Sequence, residues 1–376
     1  MPVLACGSNA FKQLSASDDL VIATPVELHT APNDLLAASW SQTLLSTSGG
    51  LITTLGLPLG RLSTPTEPVR RWLGQEQFVA ALLKDGRLER LSDGAQTEGR
   101  YVLAEMNGRG ELLVAPDNGH NELQLYSNLD SIFELSAASV PLRLRIGSDT
   151  LSDQLPAPNE ASTSAACPPL IEHITSISAG AAHFVMLSSR QQVYTWGDSR
   201  YGQAGPFSSS GSRPADQPDS ERPAHALNDL SFFDGLFPIS ISCGAFHSAV
   251  VTRDGAAYLF GSDKEGQCGG ADAGGEPQML ELEAGAAEED VHELEASEIV
   301  QVACGAGHTF VRTREGQIWC AGANSDGQLG LGDLNPRPGF VRHLPLEDLV
   351  QARHSRLINV TCSRASTYFT LEPEVA

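Results

Sequence analysis

Short apolar runs alternate with polar turns along this chain, and the alternation is clearest in its second half. Apolar runs of strand length include residues 184–187 and 248–251, and after each run a turn leads to a second apolar run. The turn at 253–255 contains Asp-Gly, which is a strong hairpin signal between two apolar runs. The pattern predicts a series of small antiparallel β-sheets.

Fixed landmarks show that three of these segments are copies of one unit. The copies align without gaps through their central stretch, and each carries a glycine, a histidine three residues later, a second glycine and a Gly-Gln pair. These repeat positions are Gly180, His183 and Gly197 in the first copy, Gly244, His247 and Gly261 in the second, and Gly305, His308 and Gly322 in the third. One such sheet cannot bury both faces alone, and radial stacking as the blades of a β-propeller solves that problem.

The chain ends indicate how the ring closes. Three degenerate copies occupy residues 39–135, residues 358–369 resemble the first half of a unit, and residues 3–14 resemble the second half. A blade shared by both ends removes the sheet edges that would otherwise invite aggregation. We therefore expect an all-β, seven-bladed β-propeller with one blade shared between N- and C-terminal strands, as a single domain over residues 1–376.

Three stretches interrupt the repeats and are expected to be flexible insertions. Residues 147–170 and 206–224 are rich in Ser and Pro, and residues 271–298 hold acidic side chains without Lys or Arg. Such compositions cannot bury enough apolar surface to fold alone. Within the acidic stretch, residues 279–282 and 291–294 could form short helical or strand pieces.

Charge and composition restrict the class of partner. The chain has 46 acidic and 24 basic residues, a formal net charge of −22. Nucleic-acid affinity depends on Lys and Arg contacts to phosphates, so direct nucleic-acid binding is disfavoured and a basic protein partner is favoured. The N-terminus lacks the features of a signal peptide, and no apolar stretch approaches the ~20 residues that span a bilayer. We expect no membrane partner and a cytoplasmic protein, with the nucleus as a second location.

The three repeat histidines are the first candidates for metal binding. They occupy equivalent positions on successive blades, so rotation around the ring separates them, and we expect each to hydrogen-bond neighbouring backbone before its strand. Other units carry different residues at the matching position, namely Thr43, Phe78 and Ser366. The seven cysteines form no CxxC pair, and Cys243, Cys304 and Cys362 share one repeat position, as expected of small buried side chains. With no catalytic motif in the chain, we predict no metal, no cofactor and no enzymatic activity.

Polar loops after each second glycine are the candidate binding residues. They supply Arg200, Tyr201, Lys264, Glu265, Asn324 and Asp326. Exposed Tyr and Arg are enriched at interface hot spots, which favours Arg200 and Tyr201, although each could be an ordinary solvated loop residue. Trp40 and Trp72 could also be anchors, but a tryptophan at a repeat position is usually part of the core.

The repeat, with its GxxH and Gly-Gln-x-Gly landmarks over residues 174–205, 239–269 and 300–332, resembles that of the regulator of chromosome condensation. The founding member of that family is a chromatin-binding exchange factor for the small GTPase Ran, whereas this chain lacks a basic N-terminal arm. The chain is similar to the yeast killer-toxin-insensitivity propeller, which also starts within a G-S-N-x-x-x-Q-L unit and ends on a half repeat. Residues 38–40 are also similar to a class of propellers that partners a histone-directed dioxygenase.

The first of these two resemblances implies a non-enzymatic adaptor that binds a small zinc or iron metalloprotein. Its pathways would be diphthamide synthesis and Elongator-dependent tRNA wobble-uridine modification, and the propeller would be a monomer within a heterodimer. Two alternatives stay open, a guanine-nucleotide exchange factor for a small GTPase and a partner of a chromatin-directed dioxygenase.

Overall fold

Seven β-sheets make up nearly all of the regular structure in the computed structural model of the chain. The structure describes residues 1–15, 17–28, 34–46, 52–57, 65, 67–117, 122–134, 141–146, 172–206, 227–270, 275–282 and 298–374. The sheets follow one another as the blades of a β-propeller, which confirms the predicted fold class. We number the blades 1 to 7 in chain order.

Blades 1 and 2 have three described strands each, and the other five blades have four. Blades 1 and 2 contain β3 (Asp34–Ala38), β4 (Gln42–Ser46), β5 (Ile52–Gly56), β6 (Val69–Leu73), β7 (Ala80–Leu83) and β8 (Leu88–Arg90). Blades 3 and 4 contain β9 (Tyr101–Met106), β10 (Leu112–Pro116), β11 (Glu122–Tyr126), β12 (Leu142–Arg145), β13 (Ile174–Ala179), β14 (His183–Ser188), β15 (Val193–Gly197) and β16 (Asn228–Asp229). Blades 5 and 6 contain β17 (Pro238–Cys243), β18 (His247–Thr252), β19 (Ala257–Gly261), β20 (Gln278–Met279), β21 (Ile299–Cys304), β22 (His308–Thr313), β23 (Ile318–Gly322) and β24 (Arg337–Arg342).

Blade 7 is built from both ends of the chain. Its strands are β25 (Ser355–Cys362), β26 (Ser366–Pro373), β1 (Val3–Ser8) and β2 (Val21–Glu27), paired in that order. The central pair, β26 with β1, is antiparallel. Leu4 from one end and Phe369 from the other are fully buried in one core cluster. The predicted shared blade is therefore present.

The structure describes only a small part of two of the three predicted insertions. Residues 147–170 lie outside the described residues, as does 206–224 apart from Pro206. Of the acidic stretch, 275–282 and 298 are described, and Gln278–Met279 pairs with β19 as the outer strand of blade 5. The expected short piece at 291–294 is outside the described residues.

Short helices complete the described fold. They are α1 (Asp130–Phe133), a 3-10 turn at Ser231–Phe233, and α2 (Leu344–Ala352). Helix α2 buries Leu346 in the cluster shared by blades 6 and 7, and Glu347 accepts the backbone N–H of Ile318 at 2.8 Å. Among the residues described, no helix has the length and apolar character needed to cross a membrane.

A buried hydrogen bond between two side chains joins blade 7 to blade 1, and it gives a test of ring closure. The hydroxyls of Tyr368 and Thr43 are 2.8 Å apart, and both side chains are fully buried. We expect Tyr368→Phe to lower the free energy of unfolding by about 1–3 kcal/mol, because the Thr43 hydroxyl loses its buried partner. Tyr258→Phe in blade 5 is the control, since the described residues give the Tyr258 hydroxyl no hydrogen bond. Equal urea midpoints for the two variants would contradict a closing role for this bond.

Candidate protein-binding face

Two kinds of loop lie on one face of the propeller. His183 pairs with Gly197, so the second strand of a blade begins where its third strand ends. We define the turn face as the loops between first and second strands together with the loops that leave the third strands. The described loops that form it in blades 4 to 7 are 180–182, 198–206, 244–246, 262–270, 275–277, 305–307, 323–336, 363–365, 9–15 and 17–20. The opposite face carries the hairpin turns 84–87, 189–192, 253–256 and 314–317, and we call it the hairpin face.

Backbone hydrogen bonds join neighbouring turns of the turn face into a chain. The second residue of each turn donates its N–H to a carbonyl in the turn of the next blade. The bonds run from Gly108 to Gly180 at 3.0 Å, and from Ala181 to Ala245, Ala245 to Ala306 and Ala306 to Arg364 at 3.1 Å each. These loops are therefore fixed to one another and form a preorganised surface.

The repeat histidines hold adjacent blades together below this surface. Each Nε2 lies near a hydroxyl on the next blade, and that hydroxyl donates to a Gln carbonyl on the blade of the histidine. The histidine contacts are His183 to Ser248 at 3.0 Å, His247 to Thr309 at 2.9 Å and His308 to Thr367 at 3.0 Å. The carbonyls belong to Gln203, Gln267 and Gln328, at 2.8, 2.7 and 2.8 Å. Each hydroxyl donates its hydrogen to the Gln carbonyl, so it can only accept a hydrogen bond from the histidine. The histidine Nε2 therefore carries a hydrogen and donates it to the hydroxyl. The predicted bond to neighbouring backbone is therefore wrong, since the partner is a side chain one blade away.

The first glycine of each repeat makes room for the histidine ring. A Cβ on Gly180, Gly244 or Gly305 would lie 2.0 to 2.1 Å from the ring Cε1. The three rings are fully buried, and burial lowers the pKa of His183 to about 4 and those of His247 and His308 to about 3. They are thus neutral at physiological pH. No three His, Cys, Asp or Glu side chains of the described residues form a set of metal ligands.

Of the cysteines that share one repeat position, Cys243 and Cys304 are buried and Cys362 is partly buried. Burial raises the pKa of the Cys243 and Cys304 thiols to about 12 and also raises that of Cys362. The Cys243 thiol donates to the carbonyl of Ser178 in blade 4 at 3.4 Å. Thiols held protonated in this way are poor nucleophiles and poor metal ligands.

Tyr201 lies in an exposed aromatic cluster at the junction of blades 4 and 5. Its ring makes an edge contact with Phe246, with centroids 5.3 Å apart, and Lys264 Nζ lies 4.6 Å from the Tyr201 centroid. Tyr201 is 38% exposed and Phe246 36%. We call these three residues the Tyr201 cluster. It brings together two predicted residues, Tyr201 and Lys264, with Phe246, which the sequence did not single out.

The other predicted binding residues have separate surroundings. Arg200 is exposed and pairs with Asp198 at 2.7 Å. Glu265 is exposed beside Lys264, and Asp326 is half-buried on the equivalent loop of blade 6.

Asn324 and Trp72 are core residues and not surface anchors. Asn324 is fully buried; its side chain donates to the Asp333 carbonyl and accepts from the Leu329 N–H, each at 2.9 Å. The prediction that Asn324 contacts a partner is therefore wrong, because the side chain is used to shape its own loop. Trp72 is buried in the core between blades 1 and 2, as expected for a tryptophan at a repeat position.

Comparison with known proteins agrees with the repeat and the fold. The family model of the regulator of chromosome condensation (RCC1) repeat matches residues 174–203, 239–267 and 299–328, and a second model with this description matches 254–312. The chain is 31% identical over 176 residues to the X-linked retinitis pigmentosa GTPase regulator homolog of Caenorhabditis elegans, covering 46% of this chain and 11% of that protein. It is 34% identical over 158 residues to the ultraviolet-B receptor UVR8 of Arabidopsis thaliana, covering 42% of this chain and 31% of that protein. The matches thus span less than a third of either relative.

Solved structures match along the whole chain. Prp20p from Saccharomyces cerevisiae superposes with a TM-score of 0.69 at 14% identity, covering 100% of this chain and 92% of that one. Human WBSCR16 superposes with a TM-score of 0.63 at 15% identity, covering 100% and 99%. At these identities the likeness concerns the fold. The three segments that match the RCC1 repeat thus lie in successive blades of a seven-bladed β-propeller.

Proposed function

We propose that this propeller is a non-enzymatic adaptor that binds another protein through its turn face. The Tyr201 cluster is the observation that carries the proposal. Two aromatic rings from neighbouring blades are more than a third exposed, and a lysine lies over one of them. Partly exposed aromatic side chains on a rigid surface bind at a small entropic cost and dominate many protein interfaces.

The charges around this cluster indicate which groups of the partner bind there. Lys264 has no ion-pair partner among the described residues, and its contact is with the Tyr201 ring. A carboxylate of the partner would therefore form an ion pair with the Lys264 ammonium group at the edge of an apolar patch. The overall charge of −22 still favours basic groups elsewhere on the partner.

We further propose that the partner is a small metalloprotein of diphthamide synthesis and tRNA wobble-uridine modification. The two proteins would bind each other in the cytoplasm and also in the nucleus. Support comes from the resemblance at residues 7–14, Gly-Ser-Asn-Ala-Phe-Lys-Gln-Leu, in the shared blade. That segment has a defined conformation, because Asn9 Oδ1 accepts the backbone N–H groups of Leu14 and Ser15 at 3.0 Å. Its adjoining strand closes the ring.

Affinity purification from its own cells tests this function. We expect the tagged protein to recover the metalloprotein, and the double variant Tyr201→Ala/Phe246→Ala to lose at least about 90% of it, since a hot spot contributes about 2 kcal/mol or more. Phe237→Ala is the matched control. Phe237 is an exposed aromatic residue on the hairpin face, and Arg253 Cζ lies 4.8 Å from its ring centroid. Equal losses for the two variants, or recovery without any metalloprotein, would refute the proposal.

Nucleotide exchange on a small GTPase is the second candidate. The observation in its favour is the 31% identity to a relative named as a GTPase regulator homolog. Exchange would also use a binding face without catalytic side chains. Faster release of labelled GDP from a small GTPase that co-purifies with the chain would support exchange over the adaptor function.

A further inference from the structure

A second aromatic cluster lies on the turn face at the junction of blades 7 and 1. The Phe11 and Trp40 rings make an edge contact, with centroids 5.4 Å apart and planes at 88°. The Arg364 guanidinium lies 4.6 Å from the Trp40 centroid and pairs with Glu76 at 3.3 Å. Phe11 and Trp40 are half-buried, and Arg364 is exposed. We call Phe11, Trp40 and Arg364 the Trp40 cluster.

The two clusters have the same construction. Phe11 and Tyr201 occupy one repeat position, in the loop that leaves the third strand after Gly7 or Gly197. A glutamine two residues later accepts the backbone N–H of each aromatic residue at 2.9 Å. In each cluster the second aromatic residue, Trp40 or Phe246, comes from the first turn of the following blade. A cation, Arg364 or Lys264, lies over one of the rings.

The equivalent loop of blade 6 has an acidic residue at the aromatic position. Asp326 stands where Phe11 and Tyr201 stand in blades 7 and 4, and Glu265 stands there in blade 5. Among these four equivalent loops, this position therefore holds an aromatic residue only in blades 4 and 7, the two whose loops contribute to the clusters. Repeat geometry alone does not explain that distribution, since all four loops have a glutamine two residues after this position.

The clusters lie on nearly opposite sides of the ring. Passing from the 7/1 junction to the 4/5 junction crosses blades 1 to 4 in one direction and blades 5 to 7 in the other. From blade 2 to blade 7, the first strands of neighbouring blades contact one another, as the inner strands of a propeller do around its central channel. The direct path between the two clusters therefore crosses the mouth of the central channel.

We propose that one folded partner protein docks over the channel mouth and contacts both the Tyr201 and the Trp40 clusters. This inference rests on the proposed adaptor function and adds where the partner sits. The partner presents two separated apolar side chains, and the one at the Tyr201 cluster is accompanied by a carboxylate for Lys264. Arg364 already pairs with Glu76, so the Trp40 contact is mainly apolar.

Site-specific photo-crosslinking in the cells of origin tests this geometry. The crosslinker p-benzoyl-phenylalanine replaces Tyr201 in one version of the full chain, Phe11 in a second, and Glu315 on the hairpin face in a control. We expect one and the same polypeptide to crosslink from positions 201 and 11, through different peptides, and not from position 315. Crosslinks to two different proteins, from only one cluster, or from neither would overturn the two-point contact.

The outcomes separate this inference from the proposed partner. A shared polypeptide that is not a metalloprotein would refute the proposed partner and keep the two-point contact. A metalloprotein that crosslinks from position 201 alone would keep the adaptor function and refute the inference. Trp40→Ala should weaken binding of the shared polypeptide by about tenfold or more, and Trp72→Phe, a change in the core, should leave it unchanged.

Discussion

Acidification from pH 6.5 to pH 4 is expected to unfold this propeller with an unusually steep pH dependence. The three repeat histidines are fully buried, with pKa values of about 4, 3 and 3 in the folded protein. An unfolded histidine titrates near pH 6.5, so below that pH the unfolded chain binds protons that the folded chain does not. Each such proton lowers the free energy of unfolding by about 1.4 kcal/mol per pH unit, and three give about 4 kcal/mol per pH unit.

The sign of the effect follows from the direction of these shifts. The folded-state pKa of each histidine is depressed, so the stability is complete above about pH 6.5 and is lost as the pH falls toward 4. The free energy of unfolding of a typical domain is about 5–15 kcal/mol, so a fall of two pH units removes much of it. Urea unfolding at pH 7, 6, 5 and 4.5, followed by tryptophan fluorescence, measures the slope.

The residue at the histidine position of blade 1 suggests the control for this experiment. Gln42 occupies the histidine position of blade 1, where it pairs with Gly56 as His183 pairs with Gly197. The variant His308→Gln removes one titrating ring, and we expect the pH slope to fall by about 1.4 kcal/mol per pH unit. An unchanged slope in this variant would contradict the assignment of acid sensitivity to the histidines.

Replacing Gly261 by alanine is expected to cost about 3 kcal/mol or more of unfolding free energy. Gly261 has φ of +110°, and a Cβ there would lie 2.6 Å from the Phe246 carbonyl oxygen and 2.8 Å from the His247 Cα. The backbone of a central strand cannot move away without breaking its ladder, so strain and lost hydrogen bonds add together. Because Phe246 belongs to the Tyr201 cluster, partner binding should weaken as well.

Gly316→Ala is the matched control for this substitution. Gly316 has φ of +86° in a hairpin turn, and nothing lies within 4 Å of its built Cβ. We expect it to lose only about 1–2 kcal/mol, the cost of the left-handed conformation for alanine. Similar denaturation midpoints for the two variants would show that the close contact at Gly261 is not what fixes the loop.

The clear repeats could be predicted because their landmarks have local physical causes. Gly197, Gly261 and Gly322 all adopt positive φ where the third strand leaves the sheet, so the glycine spacing itself marks the blade. Blade 1 keeps this glycine as Gly56 but has lost the histidine, and the third strand of blade 2 ends at Arg90 without a glycine, so these blades were harder to align. In blade 2, Leu73 pairs with Ala80 across a longer turn than the one joining Ala179 to Phe184 in blade 4, so Phe78 does not match a histidine. Gln42, and not Thr43, takes that place in blade 1.

The binding face was predicted in part. Tyr201 and Lys264 were found from loop position and residue type, but their contact with Phe246 depends on which blades are neighbours. The burial of Asn324 had a signal in the repeat itself, because Asn9 occupies the same position and uses its side chain in the same way. The histidine contacts to Ser248, Thr309 and Thr367 could not be foreseen, since they cross between blades.

Hydrogen–deuterium exchange of the purified protein, with and without its captured partner, tests the central claim most directly. If the turn face is the docking surface, the partner should slow exchange in residues 198–206 and 244–246. Exchange in the hairpin turns 189–192 and 253–256 should stay the same. Protection confined to the hairpin turns, or no protection on the turn face at saturating partner, would contradict the account.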